Sequence, residues 1–115
     1  MSRDPRLYLE DIETSCKKIK RYTHGLTMNS FTQYDIVYDA VVRNLEIIGE
    51  AVKSIPEDIQ RYHPEVEWRA MAALRNIVAH EYFGVKDEII WDVVSNKIPQ
   101  LFIQIRKILK ETQYQ

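Results

Sequence analysis

The stretch YDIVYDAVVRNLEIIGEAVK, residues 34–53, decides the fold. Its apolar residues Tyr34, Tyr38, Val41, Leu45, Ile48 and Val52 recur at three- and four-residue spacing, and Val37 and Val42 widen the stripe. That period belongs to an amphipathic helix with one buried face; no strand-like alternation competes with it. The helix is expected to begin near Ser30 and to reach Lys53. Gly49 stands inside it, where glycine costs about 1 kcal/mol relative to alanine. What a glycine permits there is close approach by a second helix.

Working outward, the same period recurs on both sides. Upstream, Asp4 is placed to cap a helix with Pro5 in its first turn, and Tyr8, Ile12, Cys16, Ile19 and Tyr22 carry the stripe to about His24, where Gly25 stops it. Downstream, Ser54-Ile55-Pro56-Glu57 has the form of a capping box opening a short helix through Ile59 and Tyr62, which His63-Pro64 ends. A third long helix is expected from about Glu65 to Tyr82, with Trp68, Met71, Ala72, Leu74 and Val78 as apolar positions and Gly84 as the stop. Asp87 is expected to cap a fourth, with the stripe Ile90, Trp91, Val94, Ile98, Phe102, Ile105 and Leu109. Pro99 falls inside that pattern and should kink or divide the helix, because proline removes a backbone bond and crowds the preceding turn. Four long helices with short connections predict an all-α fold, an antiparallel four-helix bundle with a short extra helix, in one domain spanning 1–115.

Composition agrees with that reading. Hydrophobic residues are 45% and charged ones 29%, the balance of a globular chain. A domain of 115 residues hides roughly two-thirds of its unfolded surface and needs no staple. The single cysteine, Cys16, excludes an internal disulfide and a multi-cysteine zinc site, and its apolar neighbours at helical spacing make it a core residue. No apolar run reaches membrane-spanning length and the N-terminal residues lack a signal-peptide core, so a cytoplasmic protein without membrane association is expected. The net charge of −1 is not that of a generically basic nucleic-acid binder, so any nucleotide site must come from locally placed cations. Lys17, Lys18, Lys20 and Arg21 form the one basic cluster, which reads as the solvated end of a helix with cations favoured by its dipole.

Chemistry concentrates in RNIVAHEY, residues 75–82. Arg75 is a permanent cation whose planar fork meets phosphate oxygens in pairs, His80 has an ordinary pKa near neutrality, and Tyr82 carries a phenol. Arg75 and Tyr82, seven apart, nearly eclipse on a helix, and Asn76 shares a face with His80. Arg75 and His80 are about 140° apart on an ideal helix, so one straight helix does not aim both at one atom. Either the helix distorts near Gly84, or another helix or a second protomer completes the pocket; a symmetric dimer through this helix would bring two Arg/His sets together. Asn76 could hold a phosphate or orient His80. Arg43, Glu46 and Glu50 make a second polar group on the 34–53 helix, with Arg43 and Glu50 nearly eclipsed. A solvated face is the simpler account; with Gly49 beside it, a stripe bracing the Arg75–His80 helix is the sharper one. Trp68 and Trp91 read as core anchors, His24 and His63 as helix-end residues without a role, and no carboxylate–histidine set has metal-ligand spacing, so neither metal nor cofactor is expected.

RNIVAHEYFGV, residues 75–85, resembles the signature of HepT-like proteins, a branch of the HEPN superfamily. The segment RNLEIIGEA at 43–51, Glu67-Trp68-Arg69, Ile90-Trp91 and Ile98-Pro99-Gln100-Leu101 extend the resemblance over most of the chain. It implies an all-helical, dimeric toxin of a toxin–antitoxin module acting as a metal-independent endoribonuclease. By the resemblance Arg75 and His80 would be catalytic at a cleft between protomers; Asn76, Arg43 and Glu50 stand beside them as supporting candidates from the reading of helix faces, not from the family. It further implies a minimal nucleotidyltransferase as cognate antitoxin, which transfers AMP from ATP to Tyr82. Two other readings stay open: a non-catalytic subunit that binds a nucleotide or the nucleotidyltransferase, and an interaction domain whose motif is a polar dimer seam.

Overall fold

A computed structural model describes residues 3–79 and 87–112 of the chain. Among the described residues eight α-helices succeed one another: α1 Pro5–Thr23, α2 Met28–Gln33, α3 Asp35–Lys53, α4 Glu57–Tyr62, α5 Trp68–Ala72, α6 Leu74–Ala79, α7 Asp87–Asp92 and α8 Ile98–Thr112. Among the described residues there is no strand. Nor is any helix among them long and apolar enough to cross a membrane. The all-α expectation holds, and the structure is that of a helical bundle.

α1 begins and ends as its sequence requires. The Asp4 carboxylate accepts from Arg6 N at 2.9 Å, Pro5 occupies the first turn, and Gly25 takes φ +76° just beyond the end, a conformation open to glycine. Ile12, Cys16 and Ile19 are fully buried on its inner face. α1 packs on α3 and on α8, and α3 packs in turn on α5 and α6. The core is therefore one continuous cluster, with Val41, Leu45, Ile48 and Val52 of α3 at its middle.

The helix expected from Ser30 to Lys53 is two helices. Thr27 and Ser30 form a capping box that starts α2 at Met28, and Tyr34 breaks it in an extended conformation at φ −99° and ψ 91°. The break accompanies the burial of Phe31, whose ring lies 5.2 Å from Tyr38 and 5.1 Å from Trp91, so α2 is tied to both α3 and α7. The capping box expected at Ser54 does not form. Ser54 ends α3 instead, its hydroxyl donating back to the Glu50 carbonyl, and α4 starts after Pro56 with no side-chain cap.

The third helix starts at Trp68 rather than near Glu65 and is divided at Ala73 into α5 and α6; it is described as far as Ala79. The Ala73 amide reaches the Arg69 carbonyl and the Ile77 amide reaches the Ala73 carbonyl, so the path remains helical through the interruption. Trp68 is buried and donates its indole N–H to the His63 carbonyl at 2.9 Å, an anchor as expected. Pro99 divides the last helix as foreseen. A π-helical turn, Val93–Lys97, precedes it, in which the Ile98 amide reaches back to the Val93 carbonyl, and proline then sits in the first turn of α8, where its missing N–H is tolerated. The buried line of α8 runs through Ile98, Leu101, Ile105, Ile108 and Leu109, with Phe102 left at its edge.

Candidate functional site around Arg75 and Glu50

α6 carries Arg75 because Leu74 and Val78 bury its opposite side. These two residues are 2% and 5% exposed, which turns Arg75 and Asn76 outward. The helix against which α6 lies is α3, and Gly49 sets the distance. A Cβ on Gly49 would stand 2.9 Å from Arg75 N, 3.2 Å from Arg75 Cβ and 3.4 Å from the Ala72 carbonyl oxygen. Any larger residue would push on backbone, so the close approach expected at Gly49 is realised, with Arg75 as its counterpart.

One residue further along α3, Glu50 meets Arg75. Glu50 Oε1 lies 2.6 Å from Arg75 Nε, and each side chain is half exposed. A carboxylate at Nε holds one edge of the half-exposed guanidinium and leaves it with no second carboxylate partner among the described residues. The result is a half-exposed cation with a fixed stem. That geometry suits a phosphate that must be held in one orientation.

The other polar residues of α3 lie beside this pair but do not join it. Arg43 is paired with Glu46 at 3.2 Å, a mostly solvated contact between neighbours on one helix. Arg43 and Glu50 together line an open groove of about 340 Å³ with Tyr8 and Asp11 of α1 and with Arg3, which precedes it. There the Arg3 guanidinium lies 2.7 Å from Asp11 and 4.9 Å from the centre of the Tyr8 ring. The Asp11 carboxylate holds the Arg3 pKa above its ordinary value. Arg3 was not legible as a neighbour of this groove, because it precedes the helix and no periodicity carries it there. Arg69 lies in a different open hollow, with Arg61, Glu57 and Trp68 between α4 and α5, and is not gathered with Arg75. Asn76 is exposed on α6 and its side chain makes no hydrogen bond among the described residues. His80 and Tyr82 lie outside the described residues.

Comparison with known proteins bears on what this geometry serves. A family model described as "Ribonuclease HepT-like" matches residues 12–108. The chain is 43% identical over 109 residues to "Putative RNase MJ0127" of Methanocaldococcus jannaschii, covering 95% of this chain and 90% of that protein. It is 39% identical over 107 residues to "Putative RNase TTE0752" of Caldanaerobacter subterraneus, covering 93% and 96%. It is 41% identical over 110 residues to "Probable ribonuclease HepT" of Thermococcus cleftensis, covering 96% of this chain and all of that one. No solved structure matches the chain.

Proposed function

The chain belongs to the HepT-like ribonuclease family, and on that premise we propose that it is a metal-independent endoribonuclease whose active site is the Arg75-x4-His80-x-Tyr82 motif. The observation that carries the reading is the Glu50–Arg75 pair at 2.6 Å, seated on the Gly49 contact. It fixes a half-exposed guanidinium at the head of the segment that leads to His80. A merely solvated arginine has no need of a glycine in the facing helix and a carboxylate on its stem.

The chemistry follows from the groups. The 2′-hydroxyl of RNA attacks the adjacent phosphorus while an imidazole removes its proton. The bond from phosphorus to the 5′-oxygen then breaks, and a second imidazole returns a proton to the leaving oxygen. The products are a 2′,3′-cyclic phosphate and a free 5′-hydroxyl. One chain supplies one histidine in the motif, so a homodimer with His80 from each protomer provides the acid and the base. Arg75 stabilises the charge that develops on the equatorial oxygens, a role worth about 10²- to 10³-fold in rate for a single donor. Glu50 positions Arg75, while Asn76 and Arg43 flank the pocket.

In this reading the protein is the toxin of a toxin–antitoxin module and its partner is a minimal nucleotidyltransferase. AMP transferred from ATP to the Tyr82 oxygen, with release of pyrophosphate, adds a phosphodiester seven residues after Arg75 in sequence, to compete with RNA for the same guanidinium. RNA cleavage by the purified protein in EDTA tests the proposal, alongside folded His80→Ala. Cutting by the wild type with loss in the variant bears it out. No cutting of varied RNAs by folded protein replaces it with the non-catalytic binding subunit.

A further inference from the structure

The net charge of −1 conceals a division of charge. Residues 14–23 of α1 and 98–110 of α8 hold seven of the sixteen Lys and Arg and none of the seventeen Asp and Glu, so the rest of the chain carries a net −8. All seven cations are exposed. Cations in the last turn of α1 are favoured by the helix dipole, which accounts for Lys20 and Arg21. It does not account for Arg106 and Lys107, which lie inside α8.

Packing brings the two segments together. α1 and α8 are in direct contact, and the Arg6 guanidinium donates to the Leu109 carbonyl at 3.2 Å at one end of the seam. At the other, Lys20 Nζ lies 4.4 Å and Arg106 Cζ 5.4 Å from the centre of the Phe102 ring, so two cations from facing helices flank one aromatic side chain. Lys17 stands on the same helical stripe as Lys20, and Lys110, one turn beyond Arg106, lines with it a hollow in which Arg6 faces Glu10 and Glu13, so cations outnumber carboxylates along the seam. Only Arg106 among the seven has a carboxylate partner among the described residues, Glu13 at 3.7 Å. Beyond Lys20 the seam opens into a hollow of about 260 Å³ that Trp91, Thr23 and Ser95 also line. Ile103, 67% exposed, adds an apolar step on α8. Cations spaced along a seam with aromatic surface at one end are what a single strand of nucleic acid requires: the cations follow the phosphates and the aromatic surface accepts a base of any sequence.

We propose that the α1–α8 seam is a track for the backbone of single-stranded RNA, a second contact separate from the cleavage site; the proposal rests on the ribonuclease reading above. α3 lies between α1 and α6, and the bundle measures 28 × 25 Å in cross-section, so a substrate that reaches both the seam and Arg75 has to pass around it. A dinucleotide engages Arg75 alone. The seam therefore selects for long RNA and supplies the affinity that the overall charge does not.

The test uses the full-length protein and the triple variant Lys17→Gln/Lys20→Gln/Lys110→Gln, whose residues take no part in catalysis. Binding of an uncleavable 2′-O-methyl RNA of about 20 nucleotides is followed by anisotropy across salt concentrations. Removing three phosphate contacts should weaken binding about 10- to 100-fold near 0.1 M salt and lower the salt slope by about 2. Turnover of a dinucleotide should stay unchanged while KM for the long RNA rises. Unchanged affinity and slope in a folded triple variant overturns the track. So does capture of wild type, but not of the variant, by phosphatidylglycerol vesicles with RNA affinity unaltered, which would make the seam a lipid contact. If the wild type binds the long RNA, loses it in the variant and yet cuts no RNA, the track stands and the ribonuclease reading falls.

Discussion

Glu50 Oε1 lies 2.6 Å from Arg75 Nε, next to Gly49, where a Cβ would stand 2.9 Å from the Arg75 backbone nitrogen. The ion pair and the backbone contact are made by adjacent residues, Gly49 and Glu50, so the same turn of α3 fixes both the stem of the arginine and the helix that bears it. An exposed pair of this kind contributes little to stability, between zero and about 1 kcal/mol. Its consequence is orientation.

Glu50→Gln is therefore expected to lower RNA cleavage about 10- to 100-fold, the range for misplacing a catalytic group, while changing unfolding free energy by less than about 1 kcal/mol. The loss should fall on kcat more than on KM, and Glu50→Asp should restore part of it. Steady-state kinetics with urea unfolding of each variant checks this. Equal cleavage by Glu50→Gln and wild type would make the pair a surface contact only.

Gly49→Ala has a different signature. The added methyl group meets Arg75 N at 2.9 Å and the Ala72 carbonyl oxygen at 3.4 Å, and backbone cannot give as a side-chain tip can. The overpacking cost of about 1–3 kcal/mol outweighs the helix-propensity gain of about 1 kcal/mol. The variant should be less stable and less active together, as denaturant unfolding and cleavage assays would show. A more stable Gly49→Ala protein would mean that α3 and α6 separate freely.

The helical stripes were legible because burial on one face imposes a period, and Ile12, Ile19, Leu45, Ile48, Ile98 and Ile105 are all buried where that period places them. The break at Tyr34 was not, because Phe31, Tyr34 and Tyr38 keep helical spacing across it and the pattern cannot distinguish one helix from two. Ser54 misled because a serine followed three residues later by glutamate reads as a capping box, whereas here its hydroxyl serves the end of the preceding helix. At the site, Gly49 advertised a close approach and Arg43 and Glu50 a shared face. Which of the two meets α6 depends on how the helices cross, and crossing angle leaves no periodic trace in sequence.

Cys16 gives an alkaline signature. Burial pushes its thiol from the ordinary 9.0 up to about 12. An unfolded chain loses that proton at lower pH than the folded one, so the contribution is fully present below pH 9 and is lost as pH rises toward 12. Its slope is at most about 1.4 kcal/mol per pH unit. Unfolding free energy measured from pH 8 to 11 should fall less steeply for Cys16→Ala than for wild type, although the variant starts lower because a buried sulfur has been removed. Parallel curves would show that the native thiol titrates normally.

Phe31→Ala should unfold the attachment of α2. The ring is fully buried and touches the rings of Tyr38 and Trp91, so truncation removes packing on α3 and α7 at once. The expected loss is about 3–5 kcal/mol, measured by denaturant unfolding. A loss below about 1 kcal/mol would mean that α2 collapses to refill the site.

On the proposed reading, Tyr82→Phe should separate cleavage from its regulation. The variant keeps Arg75 and His80 and lacks only the phenolic oxygen that would accept AMP, so it should cut RNA at close to the wild-type rate. Wild type incubated with a cognate nucleotidyltransferase and ATP should gain the mass of AMP and stop cutting, whereas the variant should gain none and continue. The reason silencing should be strong lies in the fork at Arg75. Its Nε edge is already held by Glu50, and on the proposed reading a phosphodiester on Tyr82 would compete for the terminal nitrogens offered to RNA. If Tyr82→Phe is still modified and silenced, the acceptor lies elsewhere, and competition for the Arg75 fork is not how the enzyme is switched off.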